Sequence, residues 1–414
     1  MTMAREMKDS GVKWIGEIPN NWICCKQKYL ITLLNGRAYK DNEFEEDGKY
    51  RILRVGNLFT NPVWYTSSLE LDSNKYCQDG DLLYSWSMSY APAIWHGEKV
   101  VYHYHIWKTV LSEKILKSFA YYYFISLTNA LQSEIHETTM GFITMGVMNN
   151  SYIAYPPLSE QKAIADFLDE KCGEIDGLLE DLATEVKTLT EYKKSIIAET
   201  VTHGLNPNAP MKDSGIPWAE TIPAHWNIEK GKYTFRLLQR PVKEDDGVIT
   251  CFRDGEVTLR SNRREDGFTM SAKEYGYQGI EPGDLVVHGM DGFAGSIGIS
   301  DSRGKGTPVL NVLDSEHNKR YLMYYLRNMA YGDVFLALST GIRVRSCDLS
   351  WKKLREIRIV LPPIEEQEKI ANYIDRKLDE IQDAITNKTQ QIETLKAYKS
   401  SLIYEYVTGK KQVI

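Results

Sequence analysis

Apolar residues recur at alternating steps of four and three along two stretches of this chain. In the first, Leu168, Cys172, Ile175, Leu179, Leu182, Val186, Leu189 and Ile196 carry the pattern, which lapses at Lys193. In the second, Ile374, Leu378, Ile381, Ile385, Ile392, Leu395 and Leu402 carry it, with Lys388 and Lys399 as polar exceptions. A mean spacing of about 3.5 residues predicts a helix with a coiled-coil seam. Each stretch follows a Pro-Pro pair (Pro156-Pro157, Pro362-Pro363) that cannot sit inside a helix, so Ser159 and Glu365 are the expected helix starts. Roughly forty residues without proline then allow a helix about 60 Å long. One apolar seam on so long a helix needs a cover. The economical cover is the other helix; the alternative is that each packs on its own globular domain.

Outside these stretches the pattern shortens. Tyr50–Val55, Asp81–Trp86, Gly247–Phe252 and Asp284–His288 predict short strands, punctuated by Asn-Gly, Asp-Gly and Pro-Gly turn signals. Ser118–Leu131 and Lys319–Met329 predict shorter helices. The fold class is therefore α+β.

The two halves repeat one another. Lys8–Trp22 reads KDSGVKWIGEIPNNW, and Lys212–Trp226 reads KDSGIPWAETIPAHW. PPLSEQ at Pro156–Gln161 returns as PPIEEQ at Pro362–Gln367, and Tyr192-Lys193 and Val201-Thr202 return as Tyr398-Lys399 and Val407-Thr408. Gly80-Asp81-Leu82 has its counterpart in Gly283-Asp284-Leu285. Shared anchors at a nearly constant shift mean one architecture written twice. The Pro- and Gly-containing segment Thr202–Pro210 is the expected linker.

Composition narrows the class. At 414 residues the chain is too long for one core, and 43% hydrophobic with 26% charged residues is ordinary for a globular protein. No apolar run reaches the roughly 20 residues of a membrane helix, and the first residues lack the apolar core of a secretory signal. The six cysteines are scattered, without a CxxC or Cys/His cluster. A cytoplasmic protein with reduced thiols, no membrane and no metal is the expectation. A net charge of −6 argues mildly against a phosphate-binding surface, but the acidic residues gather in the helical stretches and arginines cluster elsewhere.

No catalytic constellation survives scrutiny. Tyr155-Pro156-Pro157-Leu158 lacks the Asn or Asp and the aromatic that an adenine-methyltransferase loop needs. Its recurrence at Leu361–Ile364 marks it as a strand-to-helix joint. Arg303-Gly304-Lys305-Gly306 has glycine where a phosphate loop needs Ser or Thr, and Gly289–Gly298 lacks GxGxxG spacing. His103 and His105, two apart on an expected strand, have no nearby Cys or acid and are not read as metal ligands.

The basic and polar positions are more informative. In the first half Arg37, Lys40, Arg51, Arg54 and Asn57 fall close together, with Ser85 following the Asp81-Leu82 strand. In the second, Arg253, Arg260, Arg263 and Arg264 cluster, followed by His288, Arg303, Lys305, Arg343 and Arg345. Arg can hold guanine O6/N7 and Asn adenine N6/N7, while Lys suits phosphate. Solvated surface charge is the plain alternative for any one of them.

With the repeat, the KDSG–W–IP–W starts, the PP–EQ joints and the paired seams in hand, the chain resembles the specificity subunit of type I restriction-modification systems along essentially its full length. FRDGEVTLRSNRRE and GDLVVHGMDGFAGSIG in the second half resemble a common recognition-domain type of that family. The resemblance implies recognition domains at 1–155 and 205–361 and helical regions at 156–204 and 362–414, the helices pairing antiparallel through the two seams. It implies a non-catalytic subunit that reads one half of a split, asymmetric double-stranded DNA target with each domain. It further implies docking to two modification (methyltransferase) subunits and to restriction/translocase subunits. This chain would hold no cofactor; S-adenosylmethionine, ATP and Mg2+ would belong to those partners. Two other classes stand against it: a stand-alone methyltransferase or endonuclease, and a coiled-coil interaction scaffold that does not bind DNA.

Overall fold

The computed structural model describes residues 5–87, 89–137, 143–263, 275–337 and 349–413, with 134–137 by backbone only. Two long helices dominate it, Leu158–His203 and Ile364–Val407, of 46 and 44 residues. Each begins one residue before the expected start, directly after its Pro-Pro pair. Each is followed within two residues by a glycine in the left-handed region, Gly204 at φ 76° and Gly409 at φ 73°, which lets the chain leave the last turn without a Cβ penalty.

Contacts divide the chain into two units: Met1–Ala183 with Gln390–Ile414, and Thr184–Thr389. Both long helices are thus split, each unit holding the start of one and the end of the other. In the first unit Asp176 meets Lys399 at 2.6 Å and Phe167 meets Tyr406 at 4.5 Å between rings. In the second, Glu185 pairs with Lys388, and Lys193 Nζ donates to Gln382 at 2.6 Å. Within each unit one number rises as the other falls, so both helix pairs are antiparallel. Leu168, Cys172, Ile175, Ile374 and Ile381 are buried, while Leu182, Val186, Leu189, Ile385 and Ile392 are half-buried. Leu179 and Leu395 pack against the first unit's core and Leu378 against the second's. The polar exceptions Lys193, Lys388 and Lys399 each reach a polar group on the opposite helix. Such polar seam positions select a register, because a shifted pairing would leave them unmatched.

The two units share a frame. In the first, strands Ile31–Asn35, Ile106–Leu111, Leu82–Ser85 and Ala91–Ile94 form a four-stranded antiparallel sheet in that order. In the second, Arg236–Leu237, Leu310–Asp314, Leu285–His288 and Ile297–Ile299 repeat the order. Helix Lys117–Glu137 accompanies the first sheet and Lys319–Tyr331 the second. A second set of strands follows the same order in both units but is more fully paired in the first. The first adds a mixed four-stranded sheet, Tyr65–Ser67, Tyr50–Leu53, Val100–Tyr102 and Tyr76–Cys77, with one parallel pair. The second has two antiparallel pairs there, Ile249–Cys251 with Val257–Leu259 and Gln278–Ile280 with Gly304–Gly306, joined by a parallel bridge from Val248 to Lys305.

The repeated motifs explain the frame. In KDSG, Asp9 and Asp213 accept from the amides of Gly11 and Gly215 at 2.9 and 2.8 Å, and both glycines have positive φ. That turn closes the two-stranded hairpin Met7–Asp9/Glu17–Pro19 in one unit and Met211–Asp213/Thr221–Pro223 in the other. The tryptophan that follows, Trp22 or Trp226, is buried. Against it rests the glycine following the helix from the other repeat: a Cβ on Gly409 would fall 3.2 Å from Trp22, and one on Gly204 3.0 Å from Trp226. The glutamine of PP–EQ is fully buried in both units. Gln161 donates to Lys114 O and Pro156 O at 2.8 and 2.9 Å and accepts from Leu116 N at 2.8 Å. Gln367 donates to Pro362 O and His317 Nδ1 at 2.8 and 3.1 Å and accepts from Asn318 N at 3.0 Å. One side chain thereby ties the start of the long helix to the start of the shorter one. Among the described residues no helix is long and apolar enough to cross a membrane.

Candidate nucleic-acid interface

In the first unit the anticipated strand Tyr50–Val55 ends at Leu53, and Arg54 precedes the short helix Val55–Phe59. The Arg54 guanidinium lies 4.8 Å from the Tyr65 ring and is exposed. Arg37 is half-buried, clamped by Glu43 through bonds of 2.9 and 2.6 Å and set against Tyr39. Those bonds from Arg37, with one from the Lys40 amide, hold the Glu43 carboxyl down at about 2. Lys40 is exposed. Arg51 packs over Trp64 at 5.5 Å and pairs with Glu98 at 3.3 Å, on a different patch.

Two sequence candidates in this unit serve the fold instead. Asn57 accepts from the Arg54 amide and donates to Asn61 O and Val63 O at 3.0 and 2.8 Å, so its amide fixes the loop after the helix. Ser85 is fully buried and donates to Ser87 O at 3.2 Å. Neither has its polar group free for a base, and both leave the candidate set.

Residues passed over in the sequence complete this face. His103 and His105 sit on the turn between Val100–Tyr102 and Ile106–Leu111, not within a strand. Their rings are 4.7 Å apart, with Tyr104 4.0 Å from His105. Trp86 donates to Tyr104 O at 2.8 Å, meets His105 edge-on, and stacks on Trp107 at 5.8 Å. Burial, then His105 and Arg54, pushes the His103 imidazole down to about 4, so it is neutral at pH 7. The backbone bridge between Arg37 and His103 brings the segment after strand Ile31–Asn35 to this turn. The result is an aromatic ridge edged by Arg37 and Arg54. The sequence signal was the run His103-Tyr104-His105, weighed only for metal; among the described residues no group of three metal-ligating side chains forms.

The second unit gathers Arg253, Arg260, Arg263 and His288 around one cavity of about 890 Å³, floored by Ile249, Cys251 and Leu310. Arg253 pairs with Asp291 at 2.9 Å. Arg263 pairs with Asp254 and Glu256 at 2.5 and 3.0 Å and covers the Phe252 ring at 4.3 Å. Arg260 Nε donates to Thr250 at 3.3 Å. The loop bearing Arg253 is held from beneath by Arg327, which donates to Gly255 O and Ile297 O at 2.9 and 2.7 Å. The glycine-rich stretch at 289–298 exists for this approach: a Cβ on Gly298 would stand 1.9 Å from Gly255 O. His288 Nδ1 accepts from the amides of Met290 and Asp291 at 3.2 and 3.0 Å. Burial also lowers its pKa.

Arg303 does not join them. It binds Asp246 at 3.0 Å and also Glu281, with Asp246 almost completely buried, so it is a structural arginine and leaves the candidate set. Lys305, on the strand Gly304–Gly306, does not line the cavity either. Arg264, Arg343 and Arg345 lie outside the described residues.

The architecture defines a class: a duplicated α+β chain in which each unit is closed by an antiparallel helix pair and bears its own face of basic and aromatic side chains. The type I restriction modification DNA specificity domain model matches residues 19–187 and 252–394, so the chain belongs to that family of specificity subunits. It is similar to the EcoBI type I restriction enzyme specificity subunit of Escherichia coli, 20% identical over 97% of this chain and 91% of that one. It is also similar to the MjaVIII specificity subunit of Methanocaldococcus jannaschii, 29% identical over 44% of this chain and 46% of that protein. A chain solved in work on complex assembly and conformational transition of the type I restriction-modification system shares the fold. Its TM-score is 0.68 at 14% identity, covering 95% of this chain and 99% of that one.

Proposed function

We propose that this specificity subunit reads a split, asymmetric double-stranded DNA target, one half-site per recognition domain (1–155 and 205–361). The observation that carries the proposal is the pair of unlike faces on a like frame. The first unit offers the Trp86–Tyr104–His105 ridge with Arg37 and Arg54; the second offers Arg253, Arg260, Arg263 and His288 around a cavity. Arginine forks and neutral imidazoles suit the donor and acceptor pattern of base edges, and exposed cations such as Lys40 suit phosphate. Unlike faces would read unlike half-sites, making the target asymmetric.

The helical regions 156–204 and 362–414 would dock two modification subunits and the restriction/translocase subunits. The chain itself is non-catalytic on this reading and cytoplasmic. It holds no cofactor, S-adenosylmethionine, ATP and Mg2+ being bound by the partners. The deciding experiment is single-molecule sequencing of methylated adenines in cells carrying this chain and its methyltransferase. A bipartite motif with two unlike halves is expected; absence of any motif would favour the scaffold reading. Methylation by the isolated chain supplied with S-adenosylmethionine would favour the enzyme reading.

A further inference from the structure

The cavity of the second unit contains one side chain whose hydrogen-bonding role is set by the backbone. His288 ends the strand Leu285–His288, and the chain turns at once through Gly289, Met290 and Asp291. Its Nδ1 accepts two amide hydrogens from that turn, at 3.2 and 3.0 Å. An imidazole nitrogen accepting amide hydrogens carries none of its own, so the ring proton sits on Nε2. Protonating the ring would put a hydrogen on Nδ1 against two amide donors. Among the described residues, the charged groups around it on the cavity wall are Arg253, Asp254, Arg260, Arg263 and Asp291, and burial keeps the ring below its usual pKa despite Asp291. His288 is therefore a neutral ring of fixed tautomer with its single donor at Nε2.

We propose that His288 reads one base pair of the half-site assigned to the second unit, its Nε2–H donating to an acceptor on the major-groove edge and rejecting cytosine at that position. This rests on the DNA-reading function proposed above. Guanine offers O6 and N7 there, adenine N7 and thymine O4, whereas cytosine offers only its amino donor. A donor that cannot become an acceptor discriminates against that one base. The neighbouring arginines are less committed: each shares its guanidinium with a carboxylate or with Thr250.

The test exploits the different reach of two amides. In His288→Asn the side-chain oxygen can replace Nδ1 as acceptor for the turn, but nothing stands at the Nε2 position. In His288→Gln the longer side chain places an amide donor near Nε2. Each full-length variant, with its methyltransferase partner, is assayed by sequencing methylated adenines in cells. Wild type gives the reference motif, and failure to find a bipartite motif there would defeat the DNA-reading function, not this assignment. For His288→Asn, admission of cytosine at one position of one half-site is expected, or methylation at least about tenfold lower, with His288→Gln keeping the wild-type preference. Three results would overturn the assignment: an unchanged motif and level in His288→Asn, relaxation spread over both half-sites, or equal loss in both variants despite assembled complex.

Discussion

The two units carry the same four-stranded sheet, the same hairpin and the same buried glutamine, yet they differ wherever the chain is free to differ. At the helix start Glu160 of the first unit takes Trp22 Nε1 at 3.2 Å and Arg5 at 3.0 Å. In the second unit Glu366 takes His225 at 2.8 Å, and the buried Trp226 Nε1 finds no hydrogen-bond partner among the described residues. On the candidate faces the contrast widens: stacked rings edged by arginine in one, arginines paired to acids around a cavity in the other. The frame repeats because both copies must close on the end of the opposite helix. The faces carry no such packing demand, so their chemistry can diverge without disturbing the cores.

The frame gives the largest expected effects. Trp22→Ala and Trp226→Ala should each destabilise their own unit by about 3–5 kcal/mol, measured as loss of amide-exchange protection in that unit. A loss spread evenly over both units would break the assignment of one tryptophan to each frame. Phenylalanine sharpens the same comparison. Trp22→Phe forfeits a bond to a carboxylate, about 1.5–3 kcal/mol, whereas Trp226→Phe removes a donor that makes no such bond to Glu366 and should cost less, as denaturant midpoints would reveal.

Next come the buried glutamines. Gln161→Ala leaves two carbonyls and an amide unpartnered, and Gln367→Ala a carbonyl, an imidazole nitrogen and an amide, for about 2–3 kcal/mol each; calorimetry should find them alike, and a null effect in either would sink the shared-tie account. The faces should behave oppositely, without equivalence. Arg54→Ala and Arg253→Ala are each expected to lower complex binding to its DNA target about tenfold, and methylome motifs should relax in different half-sites. Relaxation in the same half-site would contradict one half-site per unit.

Acid should produce the smallest difference. Arg37 and the Lys40 amide hold Glu43 at about 2, below its unfolded value near 4.3. This group's contribution is full above that unfolded value and disappears as pH falls toward 2. In the second unit Asp246 is likewise lowered, by the Lys243 amide and Arg303. Glu43→Gln should flatten the fall of the unfolding midpoint between pH 5 and 2 for the first unit alone. An unchanged slope would show that the Arg37 clamp contributes nothing measurable.

Local chemistry made much of this protein legible from its residues. Pro-Pro pairs followed by a 3.5-residue apolar period impose long helices, because proline stops a helix and an apolar seam requires cover. The repeated KDSG, W and EQ anchors announced two copies of one frame. Single residues on the faces were less legible. Ser85, Asn57 and Arg303 have the right chemistry for a base, but burial or an internal partner uses their polar groups. Trp86, His103 and His105 gained their place only when the turn at 103–105 met the backbone of Arg37. Most of all, the repeats are units of sequence and not of packing: the end of each helix fills the core begun by the other copy. Spacing records which residues share a helix face, whereas only the folded chain settles which distant surface that face meets.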